Sequence, residues 1–384
     1  MTAAQSPARP PVAQARRVVL KVGTRVLTHD SGRLALARLF SVVEAAATLR
    51  LEGREALIVS SGAVGLGRDA LGFTETPVDL AERQACAAVG QTRLMGLYHE
   101  GFARLGLVCG QVLLTQSDFD DRLRYLNLRT TLETLLQRGV VPVINENDAV
   151  ATEELALVEG EGRPVFGDND KLSALVATKL GAELLVLLTD VDGLYDRDPR
   201  GDPAAQLRAR IDEGEADAAV GAAGGAASPA SRGGMRSKAE AAAIAQRAGC
   251  HAVIASGRRA GIVEQVLRGD DVGTWFPAGA GLPARQRWIA FAAASRGTLV
   301  LDAGAVQAVR GRGASVLPKG VTRVDGEFRR GDVVVLRGPE GELIGRGMAH
   351  VDAAAARRWL TGQRPEGVRS HHALVHRDHL VLEE

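Results

Sequence analysis

From residue 16 onward the chain alternates short apolar runs with longer stretches of helical period. The apolar runs are residues 16–22, 56–60, 107–114, 140–144, 183–188 and 251–255. Between them, residues 34–51, 64–71, 79–105, 121–138, 172–177 and 238–248 carry their apolar positions at helical spacing, the longest with Gly90 and Gly96 as candidate breaks. Unbroken apolar strands alternating with helices predict an α/β fold: an open, mostly parallel sheet sandwiched by helices.

The pattern changes near residue 297. Short β-like runs at residues 298–301, 333–336 and 343–344 alternate with Gly turns, which predicts a separate small β-rich domain. The expected organisation is a disordered tail at 1–15, a catalytic domain at 16–283 and a small β domain at 297–374. The tail is rich in Ala, Pro and Arg and has no apolar core, so it is not a secretory signal. No apolar run approaches bilayer length.

A formal net charge of +1 gives no global field toward nucleic acid or membrane. Residues 296–369 hold 13 Arg and Lys against 8 Asp and Glu. So small an excess is the usual state of a solvated surface, and RNA binding by the small domain stays open. Three scattered cysteines, Cys86, Cys109 and Cys250, form no metal pattern and suit a reducing cytoplasm.

Two features concentrate chemistry. The first is the end of the run at 140–144, which breaks into Asn145-Glu146-Asn147-Asp148 and returns at Gly167-Asp168-Asn169-Asp170 before the next helix. Carboxylates and amides packed this densely after a buried strand are costly without ligands, and strand carboxyl ends are where open α/β sheets bind them. A surface loop with Asx turns is the alternative. The second is lysine usage. Basic residues are almost all Arg, and the only lysines are Lys21, Lys171, Lys179, Lys238 and Lys319. Lys21 ends a strand beside Gly23, and Lys238 follows the Gly233-Gly234 pair. Both are good positions for a compact ammonium facing a phosphate. Lys171 and Lys179 read as helix-surface residues, and Lys319 as part of the small domain.

These motifs resemble those of the glutamate 5-kinases, members of the amino-acid kinase superfamily that carry a C-terminal PUA domain. Residues 189–195, Thr-Asp-Val-Asp-Gly-Leu-Tyr, are similar to the superfamily's nucleotide-site signature. The run from Val141 to Asp148 with Gly167 to Asp170, and Lys21-Val22-Gly23-Thr24 with Ser60-Ser61-Gly62-Ala63, are more specific. Leu317-Pro318-Lys319-Gly320 and residues 326–332 resemble the PUA domain. One departure is Ser231-Arg232, where the family usually has Gly-Thr.

The resemblance implies ATP-dependent phosphorylation of the L-glutamate side chain, the first step of proline biosynthesis, in the cytoplasm. It implies catalytic roles for Lys21, Lys238 and Asp170, with Asp170 holding both ammonium groups. Ser61, Asp148 and Asn169 would bind glutamate. ATP would meet Lys21, Gly23, Thr189, Asp190, Arg232, Gly233, Gly234, Met235, Arg236, Ser237 and Lys238. Mg²⁺ is expected on the ATP phosphates rather than in a site made by the protein. Proline as feedback inhibitor and a homodimer or homotetramer are further implications. Another amino-acid kinase, such as an aspartokinase, and an RNA-binding protein with a kinase-like scaffold are the rival readings.

Overall fold

The structure is a computed structural model. It describes residues 8–29, 33–151, 169–197, 199, 202, 204–222, 234–281, 286, 289–290, 295–361 and 373–382. The chain divides into two compact units, residues 1–118 with 122–281, and residues 282–384 with 119–121.

The first unit is built on a seven-stranded sheet. Its strands are β1 (Arg17–Val22), β2 (Glu55–Ser60), β3 (Cys109–Leu114), β4 (Val141–Glu146), β5 (Leu184–Thr189), β6 (His251–Ser256) and β7 (Thr274–Phe276). The order across the sheet is β3-β4-β2-β1-β5-β6-β7. All neighbours are parallel except β7, which runs antiparallel to β6. β5 is buried at every position and β1 at all but its first, because helices cover both faces.

Strand alternation sends successive side chains to opposite faces. Val18, Leu20 and Val22 of β1 join one core with α3 (Leu36–Leu51), α5 (Leu80–Arg104) and α9 (Ile262–Leu267). Lys21 therefore faces the other way, toward α7 (Asn169–Leu180) and α8 (Met235–Arg247). The remaining helices of this unit named here are α1 (Pro10–Ala13), α2 (Thr24–Leu27), α4 (Ala63–Ala70) and α6 (Arg122–Gln137).

Three expectations are corrected. The segment expected as a disordered tail folds from its second half. Arg9 is buried, and its guanidinium donates to the carbonyls of Val272 (2.7 Å) and Ala209 (3.1 Å) and to Asp271 (2.5 Å). Pro10 then supplies the fixed φ that starts α1.

Helix α5 runs unbroken through Gly90 and Gly96, capped by the Asp79 side chain. Gly90 serves packing: a Cβ there would lie 1.7 Å from the Ala63 carbonyl oxygen, and one on Gly67 would lie 1.8 Å from that of Cys86. The glycines let α4 and α5 touch backbone to backbone.

Lys179 is not on a helix surface. It is buried, with its ammonium 4.7 Å from the centroid of the Tyr125 ring, a cation–π arrangement.

The second unit holds a five-stranded sheet of β8 (Ser295–Leu301), β9 (Val321–Gly326), β10 (Val333–Arg337), β11 (Leu343–Ala349) and β12 (Val375–Leu382). Its order is β12-β11-β10-β8-β9. With it go α10 (Ala303–Arg312) and α11 (Ala353–Leu360), each capped by an aspartate, Asp302 and Asp352. Its own core includes Leu299, Leu301, Val334, Leu336, Ile344 and Ala356.

Candidate active site

The carboxyl ends of the parallel strands gather polar groups along one edge of the first unit's sheet. Lys21 stands one residue before the end of β1; Ser60 ends β2, Asn145 and Glu146 end β4, and Thr189 ends β5. The chain builds the sheet leftward from β1 through β2 and then crosses to β5 on the other side. The β1–β5 boundary is thus a topological switch point, the usual place for a ligand crevice.

At that boundary one carboxylate holds two ammonium groups. Lys21 Nζ lies 2.5 Å from Asp170 Oδ1, and Lys238 Nζ donates to Asp170 Oδ2 at 3.1 Å. Asp170 is 0% exposed, Lys21 3% and Lys238 6%. Ser237 Oγ adds a hydrogen bond to Oδ2 at 2.8 Å. Burial alone would raise the Asp170 pKa. The two lysines and Ser237 more than offset it and bring the group down to about 2. Among the described residues, the cluster sets two ammonium groups against one carboxylate in a dry setting.

Gly23 sits over this cluster. A Cβ there would stand 3.5 Å from Lys21 Nζ and 3.5 Å from the Leu188 carbonyl oxygen. The bare glycine leaves the ammonium approachable. Gly234 caps α8, and Met235, Arg236, Ser237 and Lys238 form its first turn. Of these, Ser237 and Lys238 turn to Asp170, while Arg236 is exposed and pairs with Glu240. Arg232 and Gly233 lie outside the described residues.

At the end of β5, Thr189 Oγ donates to Asp190 Oδ1 at 3.2 Å, and Arg25 of α2 approaches Asp190 Oδ2 at 3.3 Å. Burial raises the Asp190 pKa, but its own backbone N–H and Arg25 outweigh that and hold it below the ordinary value.

A second network begins at Asn169, the residue before Asp170. Its Nδ2 donates to Ser61 Oγ (2.8 Å) and to Asn145 Oδ1 (2.9 Å). Asn145 Nδ2 in turn donates to Gln91 Oε1 on α5 (2.8 Å). Tyr98, also on α5, donates to Ser60 Oγ at 2.9 Å. Asp148 lies in the turn after β4 and lines a cavity of about 360 Å³ with Gln91, Gln111, Glu146 and Asn147.

Lys21, Asp170, Ser237 and Lys238 therefore meet directly, and Asn169 meets Ser61. Asp148 is reached through the Gln91 cavity rather than by a bond to that pair. Gln91 and Tyr98 were absent from the residues picked out by sequence. Each is one polar position on a long helix, and only the α5–sheet packing gives it a partner.

The amino acid kinase family model matches residues 16–256, and the PUA domain model matches residues 297–366. The chain is 45% identical over 383 residues to a glutamate 5-kinase of Pseudomonas putida, covering 97% of this chain and all of the relative. It is 46% identical over 393 residues to the glutamate 5-kinase of Chromohalobacter salexigens, with both chains fully covered. The glutamate 5-kinase of Moorella thermoacetica is 45% identical over 377 residues, 97% of each chain. Among solved structures, a UMP kinase from Bacillus anthracis aligns with 70% of this chain and 98% of its own, at a TM-score of 0.46 and 16% identity.

Proposed function

We propose that this chain, which belongs to the glutamate 5-kinase family of amino acid kinases, moves the γ-phosphate of ATP onto the side-chain carboxylate of L-glutamate. The products are L-glutamyl 5-phosphate and ADP, and the step opens proline biosynthesis. The observation that carries the reading is the buried pair of ammonium groups on Asp170.

A glutamate side chain has a pKa near 4.3 and is ionised at pH 7, so attack needs no general base. A carboxylate oxygen forms a bond to the γ-phosphorus while the bond from that phosphorus to the bridging oxygen breaks. The electron pair leaves with ADP. The obstacle is that an anion approaches a polyanion. Two unit charges at 4 Å repel by roughly 4 kcal/mol at an effective dielectric near 20.

Lys21 and Lys238 offset that repulsion and follow charge across the transferring group. Asp170 and Ser237 keep the lysines oriented before substrate arrives, so less reorganisation is left for the reaction itself. Gly23 lets phosphate oxygens come close, and Thr189, Asp190 and the first turn of α8 border the nucleotide. Asn169 and Ser61 hold the glutamate carboxylate end, and Asp148 accepts its α-ammonium. Mg²⁺ would be held mainly by the ATP phosphates, where it would neutralise charge.

The same reading places the enzyme in the cytoplasm, as a homodimer or homotetramer, with proline competing at the glutamate pocket. Among the described residues, no helix is long and apolar enough to cross a membrane.

A coupled ADP-release assay over glutamate, aspartate, acetylglutamate, carbamate and UMP tests the substrate. Turnover with glutamate alone is expected. Turnover with another acceptor, and none with glutamate, overturns the assignment.

A further inference from the structure

Four residues, Asp190-Val191-Asp192-Gly193, leave the carboxyl end of β5, and both of their flanks are fastened. On one side Thr189 is still in the sheet, and its carbonyl accepts the Gly257 N–H at 2.8 Å. On the other side stands Leu194, buried and held by both of its backbone groups. Its N–H donates to the Thr274 hydroxyl at 2.8 Å, and its carbonyl accepts the Arg208 N–H at 2.8 Å. The Thr274 hydroxyl has the same carbonyl, at 3.5 Å, as the acceptor for its own proton.

Thr274 is fully buried and opens β7, the strand antiparallel to β6. A valine has the same shape and favours a strand as well, and a buried hydroxyl is costly unless it is bonded. Packing alone therefore does not ask for threonine here; the Leu194 N–H does. Gly193 shows how close the turn is drawn. A Cβ on it would stand 2.7 Å from Thr274 Oγ1 and 3.0 Å from the Thr274 backbone nitrogen.

The strand that holds the turn is itself braced. The Trp275 N–H donates to the Ala209 carbonyl and the Trp275 carbonyl accepts the Ile211 N–H, both at 2.9 Å. Arg9 donates to the Val272 carbonyl at 2.7 Å and to the Ala209 carbonyl at 3.1 Å. β7 is thus a fixed post beside the end of β5.

We propose that Thr274 is a positioning residue for nucleotide binding: through Leu194 it holds the 190–193 turn in the shape that receives ATP. The inference rests on the kinase reading, which sets the nucleotide against Thr189 and Asp190. With both flanks fastened, the turn is ordered before ATP arrives, and less conformational freedom is lost on binding. Without the Thr274 bond, the turn regains freedom that the nucleotide must then remove. The effect falls on nucleotide affinity rather than on phosphoryl transfer. Lys21 and Lys238 are held by Asp170, in ion pairs that do not involve Thr274.

The test compares Thr274→Val, Thr274→Ser and Gly193→Ala in the full chain. MgADP binding is measured by calorimetry, with steady-state kinetics and circular dichroism alongside. Thr274→Val should raise the Kd for MgADP and the KM for ATP about five- to tenfold, the scale of one neutral hydrogen bond. The kcat and the KM for glutamate should stay near parent values, the mark of lost binding rather than lost chemistry. Thr274→Ser keeps the acceptor and should restore both nucleotide constants. Gly193→Ala pushes the turn off the same post with Thr274 in place, and should raise the same two constants. Parent-like nucleotide constants in a folded Thr274→Val overturn the proposal. So does a serine variant that fails to rescue, or a rise in both KM values together. Should Thr274→Val not fold, Gly193→Ala decides: nucleotide constants unchanged there overturn the proposal as well. A parent chain that binds MgADP but never turns over glutamate would sink the acceptor assignment alone, and the Kd values would still decide the role of Thr274.

Discussion

Lys21 and Lys238 take different oxygens of one carboxylate: Lys21 sits on Oδ1 of Asp170 and Lys238 on Oδ2. They come from a strand and a helix far apart in the chain. The shared aspartate is what sets their separation. If the two ammonium groups carry phosphoryl transfer, removing either should cost turnover far more than glutamate affinity. Lys21→Ala and Lys238→Ala are each expected to lower kcat by about 10²–10³-fold, the scale of one lost transition-state donor. Steady-state kinetics check this. A variant within about threefold of the parent rate would remove that lysine from the mechanism.

Asp170 links the site to stability. Its pKa falls from an ordinary 3.8 to about 2 on folding. A depressed carboxylate contributes stability that is full above the unfolded value and is lost as pH falls through the folded one. The window is therefore about pH 4 down to pH 2, and the contribution is on the order of 2 kcal/mol. Asp170→Asn should lower stability at pH 7 and flatten the fall between pH 4 and 2. Urea unfolding at several pH values reads both. An unchanged acid slope would mean the carboxylate is not the group being titrated.

Asp148→Ala should raise the KM for glutamate with a smaller effect on kcat, since the α-ammonium lies away from the bond being made. Equal loss in kcat and kcat/KM, with KM unchanged, would place Asp148 at the transferring group instead.

Gln91 holds Asn145, which holds Asn169. Gln91→Leu leaves the Asn145 amide without this partner, a loss of about 1 kcal/mol in a neutral hydrogen bond. We expect a KM for glutamate raised about fivefold, on that same scale, while the KM for ATP stays put. Gln91→Glu keeps an acceptor for Asn145 Nδ2 and should restore most of the loss. A change in both KM values would point to a general loosening of the sheet edge.

Gly90→Ala tests the α4–α5 contact. Its methyl would lie 1.7 Å from the Ala63 carbonyl oxygen, and backbone cannot yield as a side chain does. Overpacking of this kind costs about 1–3 kcal/mol or more, even though alanine favours helix. Thermal unfolding decides it: a higher melting temperature would show that α5 relaxes freely.

Local sequence settled much here, because its signals need no partner. Apolar runs of strand length alternate with helical periods whatever the tertiary context, and they mark the parallel sheet and the smaller β-rich unit. The Asn145–Asp148 run, the scarcity of lysine and the Gly233-Gly234 pair singled out residues whose chemistry is costly or unusual on its own. Other facts depend on what stands across a gap. Whether residue 90 breaks a helix or seats one is decided by the Ala63 backbone. Whether Lys179 is wet or buried is decided by Tyr125, and whether the early chain is loose or docked is decided by the carbonyls that receive Arg9. That Lys21 and Lys238 meet on Asp170 follows from strand alternation and helix packing. These are relations between distant segments, and only the folded chain fixes them.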